Sequence, residues 1–544
     1  MPRADPQLVE RYRASGWWGE RSLGDVLADN ASRRGAESAF VSAHGSVSWS
    51  QLDSAATALA EVLAGLGLYR GDRVAVLLPD TAVVHVALHA LARAGLVAMG
   101  IGIRAGDAEV AHLAGRAGAR AIITVAERRG RSTADLVDGV RAARVPLEHH
   151  VVLPDDGGLG GAPILVDGEP GRAGVLDPGS ALGPDELFLL NSTSGTTGLP
   201  KCVMHTQNRW IAYHRLAMVA GGFGADEIFM SLLPAPFGFG LWTRHFTPAL
   251  LACPTVVMDR FDAHGALDLI EREKVTVLCC VSTQFIMLLN AQAERARDLS
   301  SLRCMFTGGE AVPYERAAEF EAATGAAVLQ FYGSNETGAL SFTTASDARD
   351  QRLRTAGRVI DVMEVRLFDV ETGADITGSG RPGRPACRGP VTCLGYWADE
   401  VANKALLTDD GWMLMGDIVE IDRDGYLTVV GRTSDFIIRG GKNISAPAVE
   451  AEVGGHPAVA VVAAVAWPDP VFGERVCAYV ELRAGCTLTL DDLVAHLAAR
   501  GVSPEWFPEK LVVLDELPRS SGGKVAKGEL HADAERRAAA GGVS

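Results

Sequence analysis

Lysine is scarce in this sequence. Only seven of its 51 basic residues are lysines, at positions 201, 274, 404, 442, 510, 524 and 527, so arginine is the default cation and each lysine calls for a reason. Positive charge as a whole is also in deficit: 67 acidic residues outweigh the basic ones, giving a net charge of −16 and an isoelectric point near 5.3. The field of such a chain repels a polyanion, which excludes nucleic acid as an expected partner. Long apolar runs are missing too. The best candidate for a membrane span, residues 83–103, is interrupted by Arg93 and reads as a helix followed by a strand. The opening residues MPRADPQLVERYR lack the apolar segment of a secretory signal, so a cytoplasmic protein is expected. The nine cysteines are odd in number and contain no CxxC pair. Neither a disulfide framework nor a zinc site is indicated, and the cysteines read as structural.

What the chain has is the composition of an ordinary globular protein, with 48% hydrophobic and 22% charged residues over 544 positions. Its length suits a large compound domain plus a smaller one. From Ser50 the pattern alternates: SQLDSAATALAEVLAGLGL has helical spacing, RVAVLLP is a strand-length apolar run, and TAVVHVALHALARAG returns to helix. The alternation recurs around ERARDLSSLRCMFTGGE and AAEFEAATGAAVLQFYG, which predicts parallel strands with crossover helices. Residues 154–184, rich in Gly and Pro, read as a surface connection. After about residue 350 short runs such as VMEVRLFDV and ACRGPVTCLGYW predict a β-rich subdomain. The last hundred or so residues read as a small α+β domain: the helices AVEAEVGG and LDDLVAHLAAR, the strands AVAVVAAVAW and RVCAYVELR, and a basic Gly-Ser tail loop. No long-period repeat is present.

The most informative segment follows the apolar run ELFLLN: Ser192, Thr193, Ser194, Gly195, Thr196, Thr197, Gly198, Leu199, Pro200 and Lys201. Glycines let backbone N–H groups wrap a phosphate, hydroxyls add donors, and Lys201 adds a point charge. The loop suits an anion. It is not a Walker A loop, because proline precedes the lysine and cysteine follows it. Four further motifs follow in order: Tyr332-Gly333-Ser334-Asn335-Glu336-Thr337-Gly338, Gly411-Trp412 to Gly416-Asp417, Gly431-Arg432, and Pro518-Arg519-Ser520-Ser521-Gly522-Gly523-Lys524.

In their residues, order and spacing these five segments resemble the superfamily of adenylate-forming enzymes, which includes acyl-CoA synthetases, peptide-synthetase adenylation domains and luciferases. The similarity runs from about residue 25 to 535. It implies an α/β fold whose N-terminal domain (1–433) holds two α/β subdomains and a β-rich distorted barrel, with a small mobile α+β domain (434–544) behind it. ATP, Mg²⁺ and CoA are the implied cofactors, and a small carboxylic acid is the implied substrate. Thr193 to Gly198 and Lys201 would hold phosphates. Tyr332 would stack on adenine within the Tyr332–Asn335 segment, with Gly308, Gly309, Glu310 and Ala311 alongside it and the acyl group. Glu336 would bind Mg²⁺ and Thr337 the α-phosphate; Asp417 would accept the ribose hydroxyls, with Arg432 beside it. Lys524 would be catalytic, a cation placed where a carboxylate oxygen attacks the α-phosphorus and pyrophosphate leaves. Plainer readings stand beside these: a strand-to-turn junction at YGSNETG, a turn residue at Asp417, a strand-to-helix turn at GGEA, and an inconsequential tail lysine at Lys527. His205 is read as structural.

Departures from the usual pattern concern the second half-reaction. The hinge position is Ser434, where Asp or Lys is common. Gly440, Gly441 and Lys442 keep the thiol channel, but Ala446 and Ala448 stand where Pro and Glu are usual. Cys202 replaces a glycine and Met415 a threonine. In Leu233–Gly240, Phe237 occupies the place of a histidine found in many acyl- and aryl-CoA ligases, and no carboxylate is present to pair an amino group. An apolar acid is therefore expected, with Phe237, Phe239 and Trp242 as pocket residues, although each would equally serve the core. The leading expectation is an ATP-dependent acyl-CoA synthetase. The alternatives are an adenylating enzyme that hands its product to a carrier protein or partner enzyme, and a non-catalytic nucleotide-binding homologue.

Overall fold

The computed structural model describes residues 5–192, 200–309, 312–432, 436–439, 442–519 and 525–541. Two large sheets dominate. The first has eight strands, and its centre follows the alternation read from the sequence. Arg73–Leu77 is flanked in parallel by Val97–Gly100 and Ala121–Val125; helix Trp49–Ala64 leads into it from the other large sheet, and helix Ala82–Arg93 crosses over from it to Val97–Gly100. The first of these helices starts at a reciprocal Ser48/Gln51 capping box. The second is apolar almost all round and buried along most of its length, as a helix sandwiched by other elements must be. At the edge of this sheet lie β1 (Leu187–Ser192), parallel to Val97–Gly100, and β2 (Cys202–Thr206), antiparallel to β1. These two strands bracket the glycine- and hydroxyl-rich loop. Helix α1 (Gln207–Gly221) follows immediately, capped by Thr206.

The second sheet has nine strands. Its carboxyl-side core is β3 (Cys304–Gly308) parallel to β4 (Ala327–Ser334), and β4 turns into the antiparallel β5 (Gly338–Phe342). The β-rich region expected after residue 350 is present as two small antiparallel sheets. One is Glu364–Phe368, Arg384–Arg388 and Met413–Leu414; the other pairs β6 (Asp417–Ile421) with β7 (Leu427–Arg432). A Gly383–Val419 bridge joins them. One hydrophobic core runs from the first sheet through α1 into the second.

The C-terminal part is a five-stranded sheet with helices Ala446–Gly454 and Leu490–Ala499 over one core and Lys527–Gly541 over the other. That last helix was not expected, since the sequence reading ended in a tail loop. Its charged surface hides a two-residue apolar anchor, Leu530 and Ala534, one turn apart and fully buried. Lys527 opens it and pairs with Glu450 at 2.8 Å, which gives that lysine a structural reason. All nine cysteines are free and eight are buried, as structural residues should be.

Candidate active site

Ligands of open α/β sheets gather at the carboxyl ends of parallel strands, and here the ends of two sheets meet. Asn191, the penultimate residue of β1, forms a reciprocal amide pair with Asn335, just beyond β4: Asn335 donates to the Asn191 Oδ1 at 2.6 Å and receives from its Nδ2 at 3.3 Å. Asn191 also donates to the Pro236 carbonyl at 3.0 Å. The anion loop, the Leu233–Gly240 segment and the YGSNETG segment are thereby tied together.

Glycine is needed where these backbones crowd. A Cβ on Gly308 would lie 2.5 Å from the Phe331 carbonyl oxygen, and one on Gly333 would lie 1.7 Å from that of Gly338. Gly309 is exposed and takes φ +80°, a conformation that favours glycine. Tyr332 and Asp417 are both buried, and the tyrosine hydroxyl donates to Asp417 Oδ2 at 2.9 Å. Asp417 faces Arg432 across the β6–β7 ladder, so residues expected at adenine, ribose and phosphate lie side by side.

Glu336 is half-buried and accepts a hydrogen bond from Tyr396 at 2.7 Å. The exposed Lys201 ammonium lies 5.0 Å from the centre of the same Tyr396 ring, a cation–π contact linking the loop lysine to the carboxylate. Burial, and then the Glu336 charge, push the Tyr396 hydroxyl well above its ordinary pKa. Thr337 is placed differently from expectation. It is fully buried, accepts from the Ser334 N–H at 3.0 Å and donates to the Gly338 carbonyl at 3.0 Å, so its hydroxyl closes the turn. Met415 lies behind it, with Sδ 3.8 Å from the hydroxyl. Cys202 is buried in β2, where burial pushes its thiol up to about 12.

Beside this polar centre stands an aromatic wall. Trp242 is buried against Tyr213 of α1 (ring centres 5.4 Å apart), Phe306 of β3 (5.5 Å) and Phe331 of β4 (5.4 Å), and Phe239 stacks on it at 5.6 Å. Phe237 is half-buried at the preceding turn. Trp242 belongs to a one-turn π-helix, Leu241–Phe246, a local widening common near functional sites.

Thr193 to Gly198, Glu310, Ala311, Ser434, Gly440, Gly441 and Lys524 lie outside the described residues, as do the side chains of Arg432 and Lys442. A magnesium ion would find in Glu336 one hard carboxylate. Among the described residues no cluster of three metal-ligating side chains surrounds it, and a single carboxylate fits an ion that takes its other ligands from phosphate oxygens and water.

Arg209, Asn191 and Tyr396 were not singled out by their sequence, and His205 was read as structural. Arg209 carried one signal, because a cation in the first turn of a helix opposes the helix dipole. It is fully buried and donates to the carbonyls of Asn335 (2.7 Å), Glu336 (3.2 Å) and Val391, and to His205 Nδ1. A guanidinium only donates, so His205 carries its proton on Nε2 and donates a hydrogen bond from it to Asn191 Oδ1 at 2.7 Å. Burial, then the Arg209 charge, hold this imidazole neutral, well below the ordinary histidine pKa.

Comparison with known proteins agrees with this geometry. Residues 27–397 match the family described as AMP-binding enzyme, and residues 448–524 match the AMP-binding enzyme C-terminal domain. The chain is 30% identical over 534 residues to the medium-chain fatty-acid–CoA ligase of Escherichia coli K12, covering 97% of this chain and 93% of that one. It is 32% identical over 539 residues to the salicyl-AMP ligase / salicyl-S-ArCP synthetase of Mycobacterium tuberculosis, covering 95% and 91%. Among solved structures, ATP-bound MatB from Rhodopseudomonas palustris superposes with a TM-score of 0.80 at 26% identity, covering 95% of this chain and 100% of that one. No helix among the described residues is long and apolar enough to cross a membrane.

Proposed function

The chain belongs to the AMP-binding enzyme family, and from that premise we propose that it joins an apolar carboxylic acid to the AMP moiety of ATP, releasing pyrophosphate, and then passes the acyl group to the thiol of CoA. The observation that carries this is that the segment 332–336 joins two contacts, Tyr332 with Asp417 and Glu336 with Tyr396, whose ring also receives Lys201. Asp417 would hold the ribose, Tyr332 the adenine, and Lys201 with the Thr193–Gly198 loop the phosphates. Bound Mg²⁺ would neutralise phosphate charge from Glu336. The carboxylate oxygen of the acid attacks the α-phosphorus, the bond to the pyrophosphate oxygen breaks, and Lys524 stabilises the charge shared between the two anions. Thr337 braces the loop through Ser334 and Gly338 and would contact the nucleotide only on giving up those bonds.

The acyl group would lie by the aromatic wall that Trp242 forms with Phe306 and Phe331. The second domain, from residue 434, would rotate about Ser434, exchanging the Lys524 loop for the Gly440-Gly441-Lys442 channel. A second reading, that the adenylate goes to a carrier protein, is favoured by Ala446 and Ala448, which depart from the usual pattern beyond that channel. A panel of acids assayed by pyrophosphate exchange with and without CoA tests both. Lys524→Ala is expected to lower exchange by about 100-fold or more; near-normal exchange would remove Lys524 from the chemistry. Exchange without acyl-CoA formation would select the carrier-protein reading.

A further inference from the structure

Arg209 is a full positive charge with no exposed surface, set at the N-terminal end of α1 where the helix dipole repels it. Burying a cation is costly unless every donor is satisfied. Its partners are three main-chain carbonyls and an imidazole, drawn from three stretches of the chain: Val391 precedes the segment that pairs with β2, Asn335 and Glu336 follow β4, and His205 is the penultimate residue of β2. From His205 the bonding continues to Asn191, and from there to Asn335 and Pro236. The result is a closed circuit under the site that returns to the Asn335–Glu336 backbone by two routes, one through the guanidinium and one through the two amides.

We propose that Arg209 is a positioning residue for the nucleotide-binding reaction: it fixes the Asn335–Glu336 backbone against the strand that feeds the phosphate loop, and His205, locked as the Nε2–H tautomer, transmits that constraint to Asn191. Arg209 touches no substrate. Its effect reaches the nucleotide through the direction in which Glu336 presents its carboxylate. Lysine in its place would keep the charge yet reach only one carbonyl at a time, because an ammonium lacks the planar fork that spans three acceptors. The inference rests on the proposed adenylation activity, and its test separates the two.

The full-length protein and the variants Arg209→Lys, Arg209→Met and His205→Ala are compared in two measurements: pyrophosphate exchange with the best acid of the panel, and calorimetric ATP binding across a magnesium titration. Loss of outer contacts of this kind lowers metal affinity or activity about 10- to 100-fold. Arg209→Lys is expected to need about tenfold more magnesium for half-maximal ATP binding and to lose kcat, while the KM for the acid stays within about twofold. His205→Ala, which breaks only the Asn191 route, is expected to show the same pattern at smaller amplitude. A magnesium dependence unchanged in both Arg209→Lys and His205→Ala overturns the proposal, as does a loss that falls equally on the acid KM and on magnesium. If Arg209→Met fails to fold, the other two variants decide. If the wild-type chain exchanges pyrophosphate with no acid, the adenylation reading fails, whereas a shifted magnesium dependence of ATP binding still supports the role of Arg209.

Discussion

Arg209 and Tyr213 sit one turn apart on α1, and the helix delivers them to two regions of opposite character. Arg209 enters a circuit of directional bonds through His205, Asn191 and Asn335, whereas Tyr213 joins a wall of rings with Trp242 and Phe331. A hydrogen-bonded circuit fixes angles as well as distances, and each lost partner leaves a buried polar group unpaired. A wall of rings fixes volume and tolerates exchange of shape while volume is kept. In the proposed reaction the reacting end of the substrate would lie by the rigid region and the variable end by the adaptable one. A family that keeps one reaction while changing its acids would need this division.

Acid should have the largest effect, and it reaches the circuit through His205. His85, His89, His205 and His245 are all buried in the large N-terminal part, and burial holds each neutral, His245 down to about 3. His85 and His245 also share a hydrogen bond between their Nδ1 atoms at 3.0 Å, which needs one nitrogen without a proton. With folded pKa values below the unfolded value near 6.5, the unfolded chain binds more protons throughout the window from about 6.5 to 3. Stability is present in full above that window and falls as the pH drops into it, by up to about 1.4 kcal/mol per histidine per pH unit. Urea midpoints at pH 7.5, 6.5 and 5.5 are expected to fall steeply over the last step. The aromatic wall contributes nothing to this slope, because burial raises the pKa of its Tyr213 hydroxyl away from the window. A midpoint unchanged down to pH 5.5 would mean that these imidazoles are not held neutral.

Trp242→Leu probes the other region. Replacing the indole removes a large part of the packing among Tyr213, Phe306 and Phe331, at a cost of about 2 kcal/mol by analogy with other large-to-small core changes. Adenylation of a short acid should persist, while acids several carbons longer gain kcat/KM. Unaltered chain-length preference across a homologous series would place the acyl group elsewhere and leave Trp242 to the core.

Two rings of the wall, Phe239 and Trp242, were singled out from the sequence and the circuit was not, for a physical reason. Phe237, Phe239 and Trp242 fall within one short segment, so spacing alone brings them near each other. Asn191 and His205 come from strands of the first sheet, Arg209 from the helix that follows them, Asn335 from just beyond the end of a strand of the second sheet and Val391 from a loop beyond both, so local sequence pattern does not bring them together. The strands at Arg73–Leu77 and Ala327–Ser334 followed directly from apolar runs, and the order of the motifs gave the family. The helix Lys527–Gly541 escaped because two buried residues, Leu530 and Ala534, carry its packing, too few to set a visible period. Thr337 was expected to face a phosphate. In the structure its hydroxyl closes a turn with Ser334 and Gly338 and lies against Met415, which follows a strand of a different sheet.

Tyr396→Phe offers the smallest and most selective change, because Tyr396 belongs to both kinds of contact at once. Its hydroxyl bonds Glu336 while its ring receives Lys201. Phenylalanine keeps the ring, the volume and the lysine contact, and removes one hydrogen bond to a carboxylate, worth about 1.5–3 kcal/mol at most when buried and less where Glu336 meets solvent. The fold should survive with a Tm shift of a few degrees. Glu336 freed from its donor loses orientation, so magnesium dependence should weaken about threefold or more, in the same direction as in Arg209→Lys but by less. If the ring contact were instead the important one, Tyr396→Leu would weaken ATP binding at saturating magnesium while Tyr396→Phe would not. Paired magnesium titrations of the two variants therefore tell whether directional bonding or aromatic packing holds the loop lysine and the carboxylate in register.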